Sequence, residues 1–361
     1  MLRSHLSFVA AFALAACTAT TTSNGLGTDP TNPNPDPTNP DPTNPDPTKN
    51  PDPTPGTTPD PNPTPEKVTF EYSSVPLPAT DLEIGSIGGS SGSDVWIVGA
   101  ESTATSKDPW NAYHYDGTKW ATTKLTSTQG TGRPSFGVVS TGSSAFMGFS
   151  YSGDVFELSG SSLTLVASLS VTSGYSMAAI GSTVFVGTQE NFGAGPLYKI
   201  TNGKAKQLPV DQGIGGVLGI WGATEDDVWL ARSEGLGHFV GGKYEDTDPN
   251  PYVDVHGSAK DNVWAVGANG VRRFDGTQWS EVTFPLGSSR YDGPSSVSVL
   301  SSDEVVVTTG DGKIYRYDGT TFVLDSRANA PKSAGTVGHI GKDETWLVGT
   351  TSIGRLAPKK K

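Results

Sequence analysis

The chain has 361 residues, of which 45 are Gly, 27 are Pro and only 17 % are charged, with one Cys and a net charge of −12. This composition excludes a disulfide-stapled scaffold, and the acidic balance, with no basic surface interleaved with aromatics, gives no purchase for nucleic acid. Long helical patterns are absent, and many short apolar runs separated by Gly-rich turns point to an all-β globule.

In chain order, residues 1–16 read as a secretory targeting segment. Arg3 supplies the positive start, and Leu6 to Ala13 is an apolar run too short to span a bilayer as a mature helix. It ends Leu14-Ala15-Ala16-Cys17, which resembles the bacterial lipobox, with the sole Cys of the protein at the position that is lipidated. The resemblance implies a mature chain that begins at Cys17 and is held on a membrane by acyl chains, each buried CH₂ contributing about 0.8 kcal/mol. Thr18 in place of Asp favours, by the enterobacterial sorting pattern, the outer membrane or cell surface.

Residues 17–66 form a low-complexity tether in which Pro-Asp-Pro-Thr recurs at Pro35, Pro40 and Pro45. Apolar residues are nearly absent, so no core can form, and frequent Pro favours an extended polyproline II spacer with a reach on the order of 100 Å. A plain spacer is the expectation; a glycosylated Thr-rich stalk is the alternative.

Residues 67–361 carry one phrase seven times. The copies are centred on Trp96, Phe146, Phe185, Trp229, Trp264, Val306 and Trp346, at steps of 50, 39, 44, 35, 42 and 40 residues. A strand-only period of about 40–45 residues predicts one propeller blade per repeat. In the clearest copy, Tyr252–His256 reads as strand A, Val263–Gly267 as strand B, Val271–Phe274 as strand C and Gln278–Phe284 as strand D. Asp-Gly after strand C, as in Asp116-Gly117, Asp275-Gly276 and Asp318-Gly319, is read as hairpin chemistry rather than an acidic ligand set.

The last repeat lacks a strand D, and Thr69–Leu77 resembles the missing piece. The expectation is therefore a seven-bladed β-propeller of four-stranded antiparallel blades, closed by pairing of the N-terminal strand with the last repeat, which removes exposed sheet edges. The phrases Asp-Val-Trp-Ile-Val-Gly at Asp94 and His-Tyr-Asp-Gly-Thr-Lys-Trp at His114 resemble those of bacterial secreted and lipid-anchored propellers, over about residues 68–357. That resemblance implies fold and compartment rather than activity.

No Cys/His cluster, His-Glu-x-x-His or Gly-x-Ser-x-Gly pattern occurs, so no metal, cofactor or catalytic residue is assigned. Asp246-Thr247-Asp248-Pro249-Asn250 alternates like a calcium loop but has Pro251 where Gly is needed. The long B–C and D–A connections share one face of a propeller and carry Trp110, Arg133, Phe192, Arg290 and Tyr291, the candidate binding face, although Trp110 and Phe192 also suit tucking over the ring. Trp221, His256 and His339 occupy like positions in three strand A copies and are candidate channel-lining residues, with ordinary channel packing as the plainer reading. The expected function is a monomeric, lipid-anchored extracytoplasmic binding module for a protein, peptide or glycan. An extracytoplasmic hydrolase or lyase, and an envelope assembly factor, are the alternatives.

Overall fold

Twenty-eight short strands and no helix make up the described residues of the computed structural model, which are 68–101, 110–125, 135–149, 153–159, 162–169, 173–189, 195–209, 215–287, 289, 292–349 and 351–360. All fall within the compact unit Pro65–Lys361. The first strand is β1 (Phe70–Val75), followed by β2 (Leu82–Ser91), β3 (Asp94–Glu101), β4 (Trp110–Tyr115) and β5 (Trp120–Lys124). The next sheet comprises β6 (Ser135–Ser140), β7 (Ala145–Phe149), β8 (Asp154–Ser159) and β9 (Ser162–Ser168). Then come β10 (Ser173–Ile180), β11 (Thr183–Gln189), β12 (Leu197–Thr201) and β13 (Lys204–Gln207), and β14 (Val217–Thr224), β15 (Asp227–Arg232), β16 (Gly235–Val240) and β17 (Lys243–Asp248). The sheet of the clearest repeat contains β18 (Asp254–Ala259), β19 (Asn262–Gly267), β20 (Gly270–Phe274) and β21 (Trp279–Val282). It is followed by β22 (Pro294–Val299), β23 (Val305–Thr309), β24 (Ile314–Tyr317) and β25 (Phe322–Leu324), and by β26 (Thr336–Ile340), β27 (Glu344–Val348) and β28 (Ile353–Pro358).

Five sheets are open four-stranded antiparallel meanders in chain order. The sixth runs β1-β28-β27-β26-β2-β3-β4-β5, two antiparallel runs of four that meet at a single parallel pair, Gly89 with Ile340. The N-terminal strand thus completes the C-terminal run: β1 lies antiparallel to β28, with Phe70 opposite Pro358, Tyr72 opposite Leu356 and Val75 opposite Ile353. Lys359 N–H extends the ladder to Thr69 O at 2.8 Å.

The second strand of each run is apolar almost throughout because both of its faces are covered; in β11 and β19 every residue is buried. Its signature Trp packs across onto aromatics of the following sheet. Trp229 meets Phe274 and Trp279, and Trp264 meets Tyr317 and Phe322. Trp346 of the C-terminal run meets Tyr115 and Trp120 of the N-terminal one. Each Trp is also held within its own sheet. In three copies its indole N–H donates to the side chain two residues earlier: Asp94, Asn262 and Glu344, at 2.9, 3.0 and 3.1 Å. The residue opposite it on the third strand stacks on Trp96 (His114) and Trp229 (His238) or lays a guanidinium over Trp264 (Arg273).

The Asp-Gly pairs are turns. Asp116 Oδ1 accepts from the N–H groups of Thr118 and Lys119, both at 2.9 Å, and Asp275 and Asp318 repeat the arrangement. Gly117, Gly276 and Gly319 follow at φ of 94°, 95° and 103°, values that a side chain would strain. The Thr118 and Thr277 hydroxyls, each donating at 2.6 Å, and then those backbone N–H groups hold the exposed Asp116 and Asp275 carboxyls down at about 2.

Candidate functional site

The first strands of all these runs, β2, β6, β10, β14, β18, β22 and β26, line one channel of ≈ 840 Å³. Backbones crowd together here, so glycine is needed at particular points: a Cβ on Gly88 of β2 would lie 2.1 Å from Val138 O of β6. The wall is uneven in chemistry. Phe136 and Met177 line it from β6 and β10, whereas Trp221, Asp254, His256 and His339 line it from β14, β18 and β26.

β22 organises the polar side. Its Ser296 Oγ and Val297 N–H donate to Asp254 Oδ2 at 2.6 and 3.0 Å, and its Val299 N–H donates to His256 Nδ1 at 3.1 Å. Ser298 Oγ lies 3.3 Å from His339 Nδ1 and shares a hydrogen bond with Thr345. The two imidazoles stack, with centroids 4.1 Å apart and planes inclined by 19°, and Trp221 stands 6.2 Å from His256. His339 Nε2 is 3.9 Å from Asp254 Oδ2.

Register explains how the rings meet. Trp221 pairs with Trp229 and His256 with Trp264, but Gly338 is the residue opposite Trp346, and His339 lies one place further on, opposite Thr345. His339 is therefore not in the like position expected from the repeat. A one-residue offset turns a side chain to the other face of its strand, so His256 and His339 approach each other over β22 from opposite sides. The signal was in the spacing: Trp221 and His256 each precede their Trp by eight residues, His339 by seven. Asp254 was not singled out from the sequence, although it stands two residues before His256 and so shares its face.

Because Nδ1 of His256 accepts a backbone N–H, the neutral ring carries its proton on Nε2, which has no protein partner among the described residues and borders the channel. Burial, and then the neighbouring His339, push His256 well below the usual imidazole range. Burial also lowers His339, with Asp254 pulling the other way. The His339 side chain, which lines the channel, keeps 31 % of its surface exposed, whereas His256 is 8 % exposed overall. Burial raises the Asp254 carboxyl. Both imidazoles are accordingly neutral at pH 7.

Ser298, His339 and Asp254 are the residue types of a nucleophilic triad, but the geometry does not supply one. Ser298 is 2 % exposed, its hydroxyl is engaged by Thr345, and the His339–Asp254 separation exceeds a hydrogen bond. What the cluster offers is recognition: a fixed N–H donor, a carboxylate acceptor and three aromatic faces.

Trp110, expected in a long loop, opens β4 and is 7 % exposed, packed with Val98, Ala112 and Phe149. Cys17, Arg133, Phe192, Arg290 and Tyr291 lie outside the described residues. The acidic run after Tyr244 is used internally. Asp248 binds Arg272 at 2.7 Å and the Asn250 N–H at 2.8 Å, and Asp246 accepts from Tyr244 at 2.5 Å. Among the described residues no group of three or more His, Cys, Asp or Glu is placed to hold a metal ion, and no helix is long and apolar enough to cross a membrane.

No protein-family profile and no curated protein matches the chain. Solved structures do. A catalytically inactive variant of virginiamycin B lyase from Staphylococcus aureus, solved with quinupristin, superposes with a TM-score of 0.60 at 14 % identity, over 81 % of this chain and 100 % of the other. YCF48 bound to D1 peptide gives 0.58 at 16 % identity, over 80 % and 96 %. The extracellular domain of a one-component-system candidate from B. thetaiotaomicron gives 0.54 at 14 %, over 80 % of this chain and 40 % of that one. At such identities the likeness establishes the fold alone, and the fold is a β-propeller-type scaffold.

Proposed function

We propose that this protein is a lipid-anchored, extracytoplasmic binding module: a seven-bladed propeller, carried on a Pro-rich tether from Cys17, that takes a peptide or glycan group into its central channel. The observation that carries this reading is the ≈ 840 Å³ channel with its one-sided cluster of Trp221, Asp254, His256 and His339. Its volume falls in the range of small-ligand sites, and it combines apolar lining with a few convergent polar groups. Structural neighbours described as extracellular or solved with a peptide add support for compartment and ligand class. The seven-blade count rests on the seven phrases and on seven successive runs of four strands. The lipid anchor rests on Leu14-Ala15-Ala16-Cys17 alone.

One set of preparations tests both halves. Cys17→Ser is expected to move the protein from the membrane to the soluble fraction without changing its melting temperature; persistence in the membrane would remove the anchor from the account. Affinity capture from envelope extract is expected to retain a peptide or glycan that Ala178→Trp, which fills the channel from β10, no longer retains. Equal capture by both proteins would move the binding site off the channel.

A further inference from the structure

Asp254 differs from the other strongly buried carboxylates of the fold. Asp248 faces Arg272, Glu304 and Asp325 share Arg327, and Glu344 is gripped by Arg355, all at 2.5–2.7 Å. Asp254 has no Lys or Arg partner among the described residues; its nearest charge-capable neighbour is His339 at 3.9 Å, neutral at pH 7. A carboxylate withdrawn from water and left without a countercharge is unfavourable unless something supplies one. Its hydrogen bonds from Ser296 and the Val255 and Val297 N–H groups fix its position but bring no positive charge.

The surroundings of that carboxylate complete a site. It opens on the channel, together with the nine-tenths-buried His256 and its unpartnered Nε2–H, the His339 ring and the Trp221 indole. The other titratable group lining the channel is Lys342, past the end of β26 and three residues beyond His339, and it forms no ion pair with Asp254. Aromatic faces beside an anionic acceptor are the surroundings that favour an organic cation over a hydrated metal ion. The chain's acidic balance draws cations toward such a mouth.

We propose that the channel holds a cation subsite, in which the Asp254 carboxylate receives the ammonium or guanidinium of a Lys- or Arg-containing peptide beside the Trp221 indole and the stacked His256–His339 pair. The His256 Nε2–H is left to donate to a carbonyl of the same ligand. This deepens the channel-binding reading and rests on it. Acidification works against the subsite. A proton on His339 would make it Asp254's own countercharge, and a proton on Asp254, whose carboxyl burial raises, would neutralise the acceptor. Peptide binding should therefore weaken as the solution is acidified from neutrality.

The test is calorimetric titration of the full chain in detergent with acetyl-Ala-Lys-Ala-amide and acetyl-Ala-Arg-Ala-amide. The neutral controls carry acetyl-lysine or citrulline at the central position. Saturable binding of the cationic peptides is expected, weaker by on the order of tenfold or more for the neutral ones and for Asp254→Asn. Asp261→Asn, in an exposed turn, should bind as the parent does. If Asp254→Asn fails to fold, His339→Lys decides the matter: by placing an ammonium beside Asp254 it should abolish peptide binding while leaving melting unchanged or raised. Equal binding of neutral and cationic peptides, or undiminished binding by folded Asp254→Asn or His339→Lys, would overturn the cation subsite and leave the channel as a binding site of other chemistry. Absence of binding by every peptide, with an envelope ligand still captured through the channel, would overturn the peptide-cation assignment alone. Loss of that capture as well would take the channel reading with it.

Discussion

Arg327→Ala is expected to destabilise the protein by about 3–5 kcal/mol, read as a lowered denaturation midpoint, with amide exchange of β1 accelerating first. Arg327 is the centre of a network that pins the N-terminal strand. Its guanidinium makes a forked pair with Asp325, with Nε–Oδ1 at 3.0 Å and Nη2–Oδ2 at 2.7 Å, and a second pair with Glu304 at 2.7 Å. It also lies 5.0 Å above the ring of Tyr72 in β1. Tyr72 donates to Asp325 Oδ2 at 3.0 Å, and its backbone O accepts from Asn329 Nδ2 at 3.3 Å. Removing the arginine strands two buried carboxylates, which is why the expected cost exceeds that of an exposed pair. Arg327→Lys, which keeps the charge and loses the fork, should fall between the two. An unaltered midpoint for Arg327→Ala would mean that β1 is held by its ladder alone.

Trp264→Ala is expected to cost about 3–5 kcal/mol by the same measurement. The side chain is fully buried, its N–H is satisfied by Asn262, and its ring meets Tyr317 and Phe322 of the following sheet edge-on at 4.9 and 5.9 Å. The loss is a cavity between two sheets together with two aromatic contacts, each worth about 0.5–1.5 kcal/mol beyond area. Trp96→Ala should cost less, because Trp96 is only half-buried and stacks chiefly on His114 of its own sheet. Equal losses at the two positions would refute the assignment of Trp264 to packing between sheets.

Much of the scaffold was legible because its signals are local. A strand covered on both faces must read as an apolar run, so Val263–Gly267 was found within a residue of β19. An Asp-Gly pair between strands leaves few alternatives to a turn, and the similarity of Thr69–Leu77 to a missing fourth strand led directly to the β1–β28 pairing. The channel cluster was less legible because it depends on register across separate sheets. Spacing between phrases does not reveal bulges, and the inner strands carry them: pairing shifts between Ile84 and Ser86, Gly174 and Ser176, and Pro294 and Ser296, but β26 has none. Each bulge re-aims the side chains beyond it. The Arg327 network was invisible for a related reason. It joins residues 72, 304, 325 and 327, which no repeat relates, in a connection that local pattern reads only as polar loop. Trp110 stayed open between a binding-face loop and a packed position because an aromatic at the end of a long connection looks the same whether it faces solvent or begins the next strand; it begins β4 and is buried.

β1 completes the C-terminal run of four strands, whose innermost strand, β26, carries His339 on the channel wall. A Cys17→Ser chain carrying Glu71→Cys and Ala357→Cys, residues that face each other across β1 and β28, tests that pairing most directly under mild oxidation. The expected result is an intramolecular disulfide with faster electrophoretic migration and a raised melting temperature. Free thiols, or covalent dimers only, would contradict the pairing of β1 with β28.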